Sequence, residues 1–251
     1  MTPEAGLAIA GAGLAAGTIN TIVGSGSLVT FPTLLALGYP PVLANVSNTI
    51  GLFPGSVSGA VGYRRELAGQ RTRILWLCVA GGLGGLSGGF LLLALPGSVF
   101  RGVVPFLILL ACGLIAAQPR LTRLVADRRG DHRNRVVVGT SVFLTGVYGG
   151  YFGAAQGVIL IALLAIFVHD DLQRLNAAKN VVAAVVNGVA AMLFASATHV
   201  AWGAAGVLAL GAIAGGQLGA MLGRRLPAGA LRAAIVIVGV AVAGGLLAGG
   251  L

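Results

Sequence analysis

Charge is scarce in this chain. Of 251 residues, 6 are Asp or Glu and 16 are Lys or Arg, and charged residues make up 9% of the whole. A soluble domain carries about 25% charged residues on its surface and in its turns, so a water-soluble fold is excluded. No acidic residue falls inside an apolar run. That excludes a cation site or carboxylate proton relay at membrane depth, because either needs an intramembrane Asp or Glu. Cysteines number 2, both within apolar runs, and indicate no disulfide scaffold. The histidines His132, His169 and His199 are scattered, so no metal cluster or nucleophile–base pair emerges and no enzyme is expected. Short alternating segments of about ten residues are missing, which excludes an outer-membrane barrel. The N-terminus lacks the basic region of a cleaved signal peptide.

What is present is long apolar sequence. Hydrophobic residues make up 57%, with a mean hydropathy of +0.97. The 42 glycines suit close helix packing in lipid, where small residues let backbones approach. The class is an all-α polytopic membrane protein. The net charge of +10 is no nucleic-acid signal, since the arginines cluster in short loops between spans, as they do on a cytoplasmic face.

The chain reads as the same pattern twice. In residues 1–117, a broken apolar block at 5–37 is interrupted by Gly24-Ser25-Gly26-Ser27, and spans follow at 43–63, 74–95 and 99–117. A basic loop at 118–135 forms the seam. In residues 136–251, a second broken block at 136–168 is interrupted by Gly149-Gly150-Tyr151-Phe152-Gly153-Ala154-Ala155-Gln156, with spans at 172–195, 200–222 and 230–247. With an offset of about 130 residues, Asn45 falls on Asn176 and Leu95-Pro96 on Leu226-Pro227, an internal repeat of the kind transporters carry.

The second block as one helix would be about 50 Å long at ~1.5 Å per residue, against a hydrocarbon core of about 30 Å. Read instead as a re-entrant hairpin with arms of roughly 14 and 12 residues, it reaches the midplane and returns. Treating both blocks so gives three crossings per half and inverts the halves. Every arginine except Arg101 then lies on one face, as the positive-inside rule requires. Both termini are expected outside. Residues 5 to 23 of the first block could nearly span alone. Trp76 and Trp202 read as aromatic-belt anchors.

Each returning arm would start at mid-membrane, near Ser27 and Gln156, and point unpaired N–H groups into the protein centre. The candidate substrate-binding residues are Asn20, Thr21, Gly24, Ser25, Gly26, Ser27, Asn45, Asn48, Gly153, Gln156, Asn176, Lys179 and Asn180. Apart from Lys179, their polar side chains are neutral hydrogen-bonding groups, and Lys179 is the charged residue within a span. This chemistry suits a small anion. The blander roles are helix kinks for the glycines, caps or interhelical bonds for Asn45 and Asn176, and snorkelling for Lys179.

The run A-G-T-I-N-T-I-V-G-S-G-S-L-V-T-F-P-T-L-L-A-L-G, the following A-N-V-S-N-T and the later G-V-Y-G-G-Y-F-G-A-A-Q-G together resemble the TauE/SafE sulfite-exporter family. The likeness covers nearly the whole chain. It implies a transporter of the bacterial inner membrane that moves sulfite, thiosulfate or an organosulfonate. Ser25, Ser27 and Ala154-Ala155-Gln156 stand where the family has more glycine, which leaves the substrate open. The expected mechanism is alternating access driven by an ion gradient, protons first, with no cofactor. A passive anion channel is the alternative. Expected partners are the small anionic substrate and membrane lipid, not nucleic acid, and a homo-oligomer is compatible with the sequence.

Overall fold

The structure is a computed structural model that describes residues 2–126, 135–168 and 170–223, with 236, 237, 240, 243 and 244. Of 118–126 it describes the backbone alone. Most of the last expected span, with His132, His169, Arg224, Arg225, Leu226, Pro227 and Arg232, lies outside the described residues. Among those described, the chain is helical with no strand. In order, the helices are α1 (Pro3–Ile22), α2 (Ser27–Ala36), α3 (Pro41–Gly62), α4 (Arg71–Ala94), α5 (Gly97–Ala126), α6 (Arg135–Tyr151), α7 (Gln156–Phe167), α8 (Leu172–Ala197) and α9 (Trp202–Leu222). Five of these are long and apolar enough to cross a membrane: α1, α4, the 97–117 part of α5, α8 and α9.

Glycine sets the packing. On α1, Gly13 lies on Leu208 and Gly17 on Ala212; from the other side Gly211, Gly215 and Gly219 lie on Ala10, Leu14 and Thr18. Small residues four apart line both helices, so backbone meets backbone. The paired numbers rise together, so α1 and α9 run in the same direction. By the same test α3 runs with α9 (Gly51 on Leu208, Gly55 on Ala212, Gly62 on Ala220). On the other side of the bundle, α4 runs with α6 (Gly84 on Phe143, Gly88 on Val147) and with α8 (Gly81 on Val182, Gly85 on Val186).

These directions decide what the broken blocks are. Since α1 and α3 run the same way, α2 has to travel back between them. Since α6 and α8 run the same way, α7 returns likewise. Each block is therefore a hairpin, but an unequal one. The outgoing arms are 20 and 17 residues long and the returning arms 10 and 12. For the second block the expected arms of roughly 14 and 12 residues are corrected to 17 and 12, because the helix runs on to Tyr151 before the break. In the first block α1 is long and apolar enough to cross alone, as residues 5 to 23 suggested. A second correction concerns the polar segment at 118–135, taken as loop. Helix α5 continues into it as far as Ala126, with Leu121, Leu124 and Val125 at helical spacing, and 127–134 lie outside the described residues.

The basic connections gather at one end of the bundle. Arg73 pairs with Asp170 at 2.6 Å, and Arg174 pairs with the same carboxylate at 2.7 Å. Arg174 also donates to Ala68 O at 3.1 Å. Gly223, just past α9, lies against Tyr63 at the end of α3. Arg101 is at the other end, where Gly97 meets Val42 near the start of α3.

Burial raises the Asp170 pKa, but hydrogen bonds from Arg73, the Asp171 N–H and Arg174 outweigh it and hold the carboxyl below its usual value. A folded-state pKa below the unfolded one gives stability that is complete above about pH 4 and is lost as pH falls through the folded value. Asp170→Asn should lower the thermal midpoint by an amount equivalent to about 1 kcal/mol. It should also flatten the acid limb of a midpoint-against-pH curve; an unchanged acid limb would show that the clip contributes nothing.

Candidate functional site

Both outgoing arms end in the same way. At the end of α1 the Gly24 N–H bonds back to Ile19 O at 3.1 Å, and at the end of α6 the Gly153 N–H bonds to Tyr148 O at 3.2 Å. Each glycine is left-handed, with φ of 91° and 80°, a conformation that turns the chain out of the helix and that glycine adopts without the cost a Cβ would bring. In the second break Ala155 is also left-handed, at φ 60°, a conformation that strains any residue with a Cβ by about 1–2 kcal/mol.

The two breaks meet. The Gly157 N–H donates to Gly24 O at 3.0 Å, and the Cα atoms of these glycines are so close that a methyl on either would overlap the other. Around the crossing, Phe31 of α2 packs edge-on to Phe152 of the second break with centroids 5.4 Å apart, and Phe100 of α5 packs edge-on to Tyr151 at 5.6 Å. The breaks are thus fixed against each other by a backbone bond and an aromatic cluster.

A helix end leaves its last carbonyls without partners, and lipid supplies none. Here α8 supplies them to α1. Asn176 Nδ2 and Asn180 Nδ2 donate to Thr21 O at 3.3 and 3.2 Å, and Lys179 Nζ donates to Asn20 O and Thr21 O at 3.1 and 3.2 Å. Lys179 is 1% exposed, and a positive side chain suits the negative end of the helix dipole. In the other half α3 does the same for α6: Asn45 Nδ2 donates to Tyr151 O at 3.0 Å. Asn45 and Asn176, paired by the repeat, therefore both cap the outgoing arm of the opposite half.

The remaining polar groups brace the first returning arm and tie α1, α3 and α8 together. Asn48 Nδ2 donates to Ser27 Oγ at 3.2 Å, and its Oδ1 accepts from the Thr30 hydroxyl. Asn20 Nδ2 and Asn187 Nδ2 both donate to Ser56 Oγ, at 3.1 and 3.2 Å. Two donor groups next to the crossing stay open. Ser25 Oγ and Gln156 Nε2 are buried without a hydrogen-bond partner, and each adjoins one of the two crossing glycines in sequence. The unpaired acceptors nearby are Asn45 Oδ1 and Asn176 Oδ1. Neither α2 nor α7 has a side-chain cap at its N-terminus, a property shared with α3, α4 and α9. The expectation of unpaired N–H groups at these ends is corrected. The Gln156, Gly157, Val158 and Ile159 N–H groups donate to the Gly153, Gly24 and Ala155 carbonyls, and those of Leu28, Val29 and Thr30 to Ser25 and Gly26, because each tight break brings its own carbonyls within reach.

The expected residues therefore come together around the crossing, in different parts. Gly24, Gly26 and Gly153 shape the breaks, and Ser27 and Asn48 brace the first of them. Asn45, Asn176, Lys179 and Asn180 serve backbone carbonyls, those of Asn20 and Thr21 among them. Ser25 and Gln156 keep free donors. Sequence reasoning passed over Gly157, Thr30 and Ser56. Ser56 was within reach, since Asn45, Asn48, Leu52 and Ser56 form one stripe at helical spacing. Gly157 was not, because only the tertiary contact distinguishes it from other glycines.

Two broken hairpins whose breaks meet inside the bundle are an architecture that membrane transporters use. The profile of the sulfite exporter TauE/SafE family matches residues 9–246, and the chain belongs to that family. It is 27% identical over 216 residues to a probable membrane transporter protein of Haemophilus influenzae, covering 84% of this chain and 82% of that one. It is 29% identical over 241 residues to the probable membrane transporter protein ORF9 of a Sinorhizobium species, covering 93% and 88%. It is 27% identical over 245 residues to the probable membrane transporter protein YfcA of Escherichia coli K12, covering 92% and 86%. No solved structure matches it.

Proposed function

We propose that the chain is a secondary-active transporter of small sulfur-containing anions (sulfite, thiosulfate or an organosulfonate). It works by alternating access around the crossing of its two hairpins. The observation that carries this reading is the pair of open donors, Ser25 Oγ and Gln156 Nε2, beside two helix N-termini without side-chain caps. The positive dipole ends of these helices favour an anion, and the hydrogen bonds to it come from the two side-chain donors, since the first N–H groups of α7 already bond backbone carbonyls. The absence of Asp and Glu from the apolar runs removes the charges that would repel an anion. The family's name supplies the sulfur chemistry.

The helix directions support two inverted repeats, 1–117 and 136–251, in which α1 to α5 answer to α6 to α9 and the last span. The basic end is assigned to the cytoplasm by the positive-inside rule, with both termini outside and the bilayer that of a bacterial inner membrane. Protons are the first choice of driving ion, and no cofactor is needed.

The test is uptake of radiolabelled sulfite and thiosulfate by liposomes holding the purified protein, with and without a pH gradient. Accumulation above equilibrium is expected; flux that only runs downhill would favour a channel. Ser25→Ala combined with Gln156→Leu should raise the half-saturating anion concentration about tenfold or more, since a hydrogen bond to a charged group contributes about 1.5–3 kcal/mol. Unaltered uptake by the double variant would remove these groups from the site.

A further inference from the structure

A second polar site lies away from the crossing, on the face formed by α4 and α6. At the basic end of the bundle a cavity of about 380 Å³ is lined by Gly69, Thr72, Arg73, Trp76, Arg135 and Phe167, among others. It shares Thr72, Trp76 and Arg135 with a groove of about 760 Å³ that continues along Leu75, Val79, Leu83 and Phe143. The groove exists because Gly139 of α6 has no side chain to fill it; the nearest atom to a methyl there would be the Trp76 ring, 3.8 Å away. Leu75, Val79 and Leu83 are all exposed along it.

The electrostatics of the cavity are one-sided. Asp170 offsets only part of the positive charge of Arg73, Arg174 and Arg135. Arg135 makes no ion pair among the described residues, and Arg73 Nε is buried without a partner. A polar, positive mouth at a helix end continues into an apolar trough down the membrane-facing surface, with a tryptophan at the junction. This sequence of environments matches that of a phospholipid from headgroup to chain, and basic pockets between helices on the cytoplasmic side hold anionic headgroups.

We propose that this face is a binding site for an anionic phospholipid. Its phosphate sits between Arg73 and Arg135 within reach of the Thr72 hydroxyl. Trp76 lies at the ester level, and an acyl chain lies along Leu75, Val79, Leu83 and Phe143. The site is independent of the transported anion and rests only on the chain being a membrane protein.

The full-length protein, stripped of lipid in detergent, would be titrated with phosphatidylglycerol and with phosphatidylcholine of the same chains. Thermal midpoint and native mass spectrometry are the readouts. Phosphatidylglycerol should raise the midpoint and add a discrete bound lipid, and phosphatidylcholine should do neither. Arg135→Gln should weaken phosphatidylglycerol binding about fivefold, the effect of one basic residue near a membrane surface. Gly139→Leu should block the groove, as should Val79→Trp, which changes an exposed side chain and leaves the fold intact. Equal response to the two lipids, or unchanged binding by Arg135→Gln and Val79→Trp, would overturn the proposal. Inorganic phosphate matching the lipid at equal concentration would reassign the cavity to a free anion, and dimers that dissociate when Val79 is replaced would reassign the groove to a second copy.

Discussion

Replacing either Gly24 or Gly157 by alanine is expected to abolish anion uptake and to destabilise the protein by about 2–4 kcal/mol, within the range for overpacking plus backbone strain. The two backbones touch at these residues, and the Gly157 N–H reaches Gly24 O at 3.0 Å. A methyl on Gly157 would meet the Gly24 backbone, which is fixed from behind by the end of α1, so neither side can give way cheaply. At Gly24 the methyl adds a second penalty, because φ there is 91°. The control is Gly113→Ala on α5, where an added methyl meets nothing within 4 Å; it should leave uptake intact and slightly stabilise the helix. The comparison needs uptake rates and thermal midpoints of the three variants side by side. Normal uptake by Gly157→Ala would mean that the breaks do not work as a unit.

Lys179→Met is expected to reduce both uptake and stability together, the first at least about tenfold and the second by about 2–4 kcal/mol, the loss of hydrogen bonds from a charged group. Lys179 Nζ serves Asn20 O and Thr21 O at the end of α1. Methionine keeps the length and the apolar stem but leaves Asn20 O without this donor, with only Asn176 and Asn180 still reaching Thr21 O. The end of α1 would then loosen beside the first break. A side chain bound to the anion would behave differently: uptake would weaken through a raised half-saturating concentration while the midpoint held. That outcome would move Lys179 from α1 to the substrate. Asn45→Ala offers the mirror test at Tyr151 O, with a smaller effect because the interaction is neutral.

Much of this organisation was legible in the residues themselves. A broken run followed by an asparagine-bearing span is a local signal, and its recurrence in the second half brought Asn45 and Asn176 into equivalent places. The structure gives those two asparagines equivalent tasks. What the residues did not reveal is the object of each task. Asn176, Lys179 and Asn180 lie one helical turn apart and read as substrate donors, since sequence spacing reports which side chains share a face and not what stands opposite. The carbonyls they bond belong to α1, some 155 residues away in the chain.

The sequence by itself determined that this protein lives in a membrane, that its apolar runs are interrupted twice at matching places, and that those runs carry no Asp or Glu. Those are consequences of composition and order, which lipid and backbone chemistry read directly. Only the tertiary structure decided that the hairpin arms are unequal, that Gly24 and Gly157 touch, and that Ser25 and Gln156 keep open donors while Lys179 does not. The reason is that a polar group in an apolar interior takes whichever partner the packing brings within hydrogen-bond reach, and here glycine-to-backbone packing between distant helices makes that choice.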